Sequence, residues 1–149
     1  MQVFIPYADP FKVAECLDKR RLHNQVNECR TIIAAIEGAS AWKNHPVVKM
    51  YQPYKKWLFC YMNTLDLYDR GFIESAKLAS KEAGVFKPIW LTNKLCDTHK
   101  RRLYQKDPKN YPDFAKYGFS ILNFYVVDNQ VLIYEKGKLI HTESLINYV

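Results

Sequence analysis

A chain of 149 residues, 48% hydrophobic and 15% aromatic, can bury one core without disulfide or metal staples. Its 22 Lys and Arg against 15 Asp and Glu give a formal net charge of +7, which favours a phosphate-rich or other polyanionic partner. No apolar run of about 18 residues exists to cross a membrane. Cys16, Cys29, Cys60 and Cys96 lie too far apart for zinc spacing, so neither metal nor cofactor is expected.

The opening MQVFIPYADP lacks the basic-then-apolar order of a signal peptide, and a reducing, cytoplasmic setting is expected. Residues 2–7 read as an extended entry. Asp9 or Pro10 then starts a first helix over about residues 10–37, with Leu22, Val26, Cys29, Ile33 and Ile36 as its apolar stripe and Gly38 as its C-cap. The segment SAWKNHP leads into a second helical region, in which Pro46 and Pro53 suit first-turn positions. From there Trp57, Leu58, Tyr61, Met62 and Leu65 recur at helical spacing as far as Asp69 to Gly71. A weaker helix runs from Ile73 to Ala83 and stops at Gly84. A fourth begins near Thr92 and ends near Lys106, and an irregular aromatic stretch follows. The period then changes to that of strands, over 119–127, 130–135 and 138–142, with turn signals at Asp128-Asn129 and Lys136-Gly137. These readings predict a mainly α fold, a single domain over 1–149. Its helical region spans about 10–115, and a small antiparallel β meander closes it over about 119–142.

The first helix holds the most informative segment, LDKRRLHNQVNECR. At 100° per residue, Arg21, Gln25 and Glu28 fall along one edge beside Leu22, Val26 and Cys29. A carboxylate at the border of an apolar face is partly desolvated, which raises its pKa and suits acid/base work. Arg21 can clamp a phosphate, and Lys19, Arg20 and His23 add positive charge. A glutamate paired with Arg or Gln in a structural network fits the same pattern, and both readings stay open. His45 reads either as a phosphate or sugar contact or as a hydrogen-bonded support of the turn before Pro46. His99 lines a cleft with Arg102 or packs inside its helix. Lys100, Arg101 and Arg102 cannot all face one way, so one or two of them meet phosphates. Trp57, Tyr61 and Tyr68 read as core, whereas Tyr51, Tyr54 and Tyr111 read as ligand-facing.

The pattern of Leu17, Leu22, Gln25 and Glu28 resembles the first-helix signature of the pyrimidine-dimer DNA glycosylase family. Two further blocks are similar to relatives of that family: WKNHPVVKMYQPY, with His45, and THKRRLYQKDPKNY, with His99, Arg102 and Lys106. The three blocks stand in matching order over roughly residues 10–115, and the meander lies outside them. The resemblance implies a helical protein that binds damaged duplex DNA, extrudes a nucleotide and cleaves its glycosidic bond. It makes Glu28 the catalytic glutamate and a primary amine the nucleophile, with strand nicking by β-elimination. In this chain that amine is assigned to Met1, retained ahead of the bulky Gln2; an α-amine pKa of ~7.7–8.0 leaves a neutral fraction to attack. Water activated by Glu28 is the alternative. Arg20, Arg21, Gln25, His45, His99, Arg102 and Lys106 are the expected nucleic-acid contacts. A non-catalytic DNA- or nucleotide-binding protein that keeps the fold is the competing reading.

Overall fold

Asp9 caps the first helix by accepting the Phe11 N–H, and Pro10 fills the first helical position, where a missing donor costs nothing. This helix, α1 (Pro10–Cys16), is short. Leu17 turns extended, and Asp18 caps α2 (Lys19–Ile36) by accepting the Arg21 N–H at 3.0 Å. The single helix expected over 10–37 is therefore two. Aspartate competes better as a cap than inside a helix, while the apolar spacing carries straight across the break and conceals it. The buried face of α2 is Leu22, Gln25, Val26, Cys29, Ile32 and Ala35; Ile33 and Ile36, expected in the stripe, are only half-buried. Gly38 closes the helix in a left-handed conformation, φ 84°.

The protein is described here by a computed structural model, over residues 2–38, 41–117 and 123–148. A 3-10 turn at Ala41–Asn44 precedes α3 (Pro46–Tyr51), and another at Gln52–Tyr54 precedes α4 (Lys55–Asp69). Then follow α5 (Ile73–Val85) and α6 (Asn93–Lys106), the latter capped by the Thr92 hydroxyl. Helix α5 runs one residue past Gly84, since a lone glycine costs a helix only ~1 kcal/mol. The aromatic stretch after α6 forms a 3-10 segment, Pro112–Tyr117.

Helix α4 packs against α1, α2 and α5. Trp57, in its first turn, is stacked between Tyr51 at 6.2 Å and Tyr61 at 5.1 Å between ring centroids. Tyr51 and Tyr111, read from the sequence as ligand-facing, are instead buried at 1% and 4% exposure, because each ring has a stacking partner inside. The third of that group, Tyr54, is half-buried edge-on to Trp90.

Strands β1 (Asn123–Val127), β2 (Gln130–Glu135) and β3 (Lys138–Ser144) form an antiparallel sheet in the order β1-β2-β3. Both hairpins turn on two residues with positive φ: Asp128 and Asn129 at 52° and 62°, Lys136 and Gly137 at 50° and 78°. That is the geometry whose twist suits a tight hairpin. The sheet's contact with the helices is made by β1. Phe124 meets the ring of His99 and Tyr125 the ring of His45, so the hydrophobic cluster of the helices continues through Phe124, Tyr125, Val126 and Val131. The mainly helical class with a small C-terminal meander is borne out. Among the described residues no helix is long and apolar enough to cross a membrane, and the four cysteines are free thiols.

Candidate active site

The N-terminal segment runs buried alongside α2, and a polar side chain of that helix fixes it there. The Gln25 amide oxygen accepts the Phe4 N–H at 2.8 Å, and its nitrogen donates to the Gln2 carbonyl at 3.2 Å. The Tyr61 hydroxyl donates to the Phe4 carbonyl at 2.5 Å. Between this segment and α2 opens a cleft of about 290 Å³. Gln2 and Phe4 line it from one side, Arg21, Asn24, Gln25 and Glu28 from α2, Lys106 from the end of α6 and Asn123 from the start of β1.

Glu28 is the carboxylate of the cleft. It is half-buried, one of its oxygens is shut off from solvent, and that oxygen has no hydrogen-bond partner among the described residues. Burial pushes its carboxyl above the ordinary carboxylate range. An acid desolvated in this way and left unsatisfied is unusual in a folded core, where more than nine in ten buried polar groups find partners. It is the condition in which a carboxylate interacts strongly with nearby positive charge and exchanges protons above the ordinary carboxylate range.

Arg21, on the same edge, is already committed. Its guanidinium donates to Asp18 at 2.9 Å and to Asp107 at 2.8 Å. Burial pulls that guanidinium down, but the two carboxylates outweigh it and hold it firmly charged. The Asp18 carboxylate also accepts the Tyr111 hydroxyl at 2.6 Å; these bonds outweigh its own burial and keep it ionised well into acid. The cluster ties the start of α2 to the end of α6, which fixes Lys106. Lys106 itself makes no ion pair among the described residues and lies over the Phe4 ring at 6.0 Å. Burial, with the positive neighbours Arg102 and Arg21, lowers the pKa of its ammonium.

The other residues singled out in the sequence take different places. His45 accepts the Val47 N–H on its Nδ1 at 3.1 Å and caps α3, the turn-supporting role. Burial lowers its pKa, and its ring stands edge-on to Trp42 and Tyr125. His99 is 2% exposed, packed between Phe4 and Phe124, and neither ring nitrogen has a hydrogen-bond partner among the described residues. Burial lowers its pKa to about 3, so the ring is neutral. Arg20 is exposed, and Arg102 is half-buried with a long 3.4 Å contact to Gln105. Met1 lies outside the described residues. The cleft also takes in Gln2, Phe4, Asn24 and Asn123, none of which sequence reasoning selected. Asn24 was within its reach, one helical turn before Glu28 on the same face. Asn123 belongs to the meander, which no motif connected to the helices.

Fold and cleft together describe a basic, mostly helical protein with a desolvated carboxylate facing an open hollow, and the N-terminal half of the chain matches a family of DNA repair glycosylases. That family is the pyrimidine dimer DNA glycosylases, and its model matches residues 1–71, just under half of the 149. The resemblance read from the sequence is thereby shown over these residues. They carry Arg21, Gln25, Glu28 and His45; the block with His99, Arg102 and Lys106 lies beyond the match. Comparison with curated proteins and with solved structures returns no match.

Proposed function

We propose that the protein is a DNA glycosylase that excises damaged, pyrimidine-dimer-like bases from duplex DNA, with abasic-site lyase activity, and that its residues work as one domain. The observation that carries this reading is Glu28: a half-buried carboxylate, one oxygen of which has no hydrogen-bond partner among the described residues, at a cleft bordered by Lys106. Breaking the bond from C1′ to the base leaves the electron pair on the base and positive charge on C1′ and the ring oxygen. A carboxylate beside them stabilises that charge and then moves protons. In the lyase step the α-amine of Met1 bonds to C1′ as the base leaves as its anion, to be protonated by water. Glu28 takes the amine's proton and returns it to the ring oxygen, which opens the sugar to a protonated imine. Glu28, ionised again, then takes a proton from C2′, and the electron pair left behind expels the 3′ phosphate. Support for this nucleophile comes from Gln2, the next residue in the chain, which lines the cleft with Glu28.

The test is incubation with duplex DNA bearing an abasic site, in borohydride, alongside ultraviolet-irradiated plasmid. A reduced covalent adduct and nicked plasmid are the expected results. Nicks that appear only after alkali would leave the glycosylase without the lyase. Binding without either product would replace the enzyme with the competing reading, a DNA-binding relative.

Phosphate contacts are assigned to Lys106, the cation of the cleft with no ion pair among the described residues, with Arg102 beside it and Arg20 exposed on α2. Affinity for duplex DNA should fall linearly with salt on logarithmic axes, by about 0.9 in slope per phosphate contacted. Lys106→Ala should reduce the slope by about one such step in an anisotropy titration. An unchanged slope would take Lys106 out of the interface.

A further inference from the structure

Gln25 was read from the sequence as a surface contact to nucleic acid, yet it is 4% exposed, and its amide is used up on the backbone of the N-terminal segment. A helix needs no glutamine there for its own sake, since the buried face of α2 is otherwise apolar. The two bonds reach residues 21 and 23 positions away in sequence, and they hold Gln2 and Phe4, the two residues of that segment that line the cleft with Glu28. Tyr61 completes the grip from the opposite helix by taking up the Phe4 carbonyl. We infer that Gln25 is a positioning residue, whose buried amide sets the register of the N-terminal segment against Glu28 and so aligns the start of the chain with the reacting carbon. It touches neither DNA nor the breaking bond; it acts through Gln2 and Phe4. This rests on the glycosylase and lyase reading above.

Gln25→Met keeps the length and volume of the side chain and removes both bonds. Two measurements on the full chain separate the possibilities. In the first, amide hydrogen exchange at Phe4 should accelerate at least tenfold, while amides in the middle of α4 keep their protection. In the second, borohydride trapping on abasic-site duplex should slow on the order of 10²-fold, the loss typical of a 1 Å misplacement of a reacting group. The trapped endpoint and the Kd for the duplex should stay within twofold of the wild type. A residue that merely supported the fold would lower the endpoint instead, because fewer molecules would be competent. Trapping at the wild-type rate with fast Phe4 exchange, or Phe4 exchange unchanged, overturns the positioning role alone. A wild-type protein that traps and nicks nothing overturns the function first and this inference with it. Should Gln25→Met fold poorly, Tyr61→Phe releases the Phe4 carbonyl and should slow trapping in the same direction by a smaller factor, again at constant endpoint.

Discussion

Glu28→Gln removes turnover while leaving the fold and DNA affinity in place: single-turnover cleavage of a lesion-bearing duplex should drop by about 10²–10⁴-fold, the range general acid–base catalysis supplies. The substitution is nearly isosteric, so the cleft keeps its shape. Its effect on stability should be zero or slightly favourable, because the native protein holds a desolvated carboxylate, one oxygen of which has no hydrogen-bond partner among the described residues. Lost activity with an equal or higher Tm is the signature of a residue retained for chemistry. A lower Tm with weakened binding would make Glu28 part of the scaffold. The pH profile follows from the same burial. In the proposed mechanism Glu28 serves as the ionised form, and its pKa is raised, so the acid limb of activity should lie above the ordinary carboxylate value of about 4.3. In the variant that limb should vanish with the residual rate.

The second large effect is acid lability through His99. The unfolded chain protonates this ring near pH 6.5, the folded protein only near 3. Between those values the unfolded state binds the extra proton, so stability falls as pH falls through 6.5 and stops falling below about 3. At pH 4.5 the loss relative to neutral pH is about 3 kcal/mol from this residue. Asp18 and Asp107, whose carboxyls are held low, lose their stabilising charge only as pH drops below the usual carboxylate range, so they leave the window from 6.5 to 4.5 mainly to His99, with a smaller part from His45, whose pKa burial also lowers. Glu28, with its raised pKa, works weakly the other way. Denaturant midpoints measured at pH 7 and 4.5 should separate in the wild type and nearly coincide in His99→Leu. If both proteins lose stability equally, the ring is not the acid-sensitive group.

The sequence displayed the helices wherever a cap or a proline stood at the edge of an apolar run, and the hairpin turns wherever two residues tolerant of positive φ met. It hid the break at Leu17 and Asp18, because hydrophobic spacing continues across a cap without interruption. For the cleft, the edge of α2 was readable: Arg21, Gln25 and Glu28 do lie together there. What periodicity could not convey was the direction of each interaction. Gln25 and His99 are polar residue types, yet both point inward, one because two backbone groups satisfy it, the other because it stays neutral between two phenyl rings. Arg21 could be placed but not its partner, since Asp107 stands 86 positions away. Asn123 entered the cleft only because β1 packs against the helical part, a tertiary fact with no local pattern.

That arrangement separates what the protein does from what it accepts. The acid and its apolar border belong to the stretch shared with the family, whereas Lys106 and Asn123 come from outside it. Replacements at those two boundary positions should change the outline of the cleft without disturbing the helix on which the acid stands. On the proposed reading, selectivity and chemistry are therefore carried by different parts of the chain.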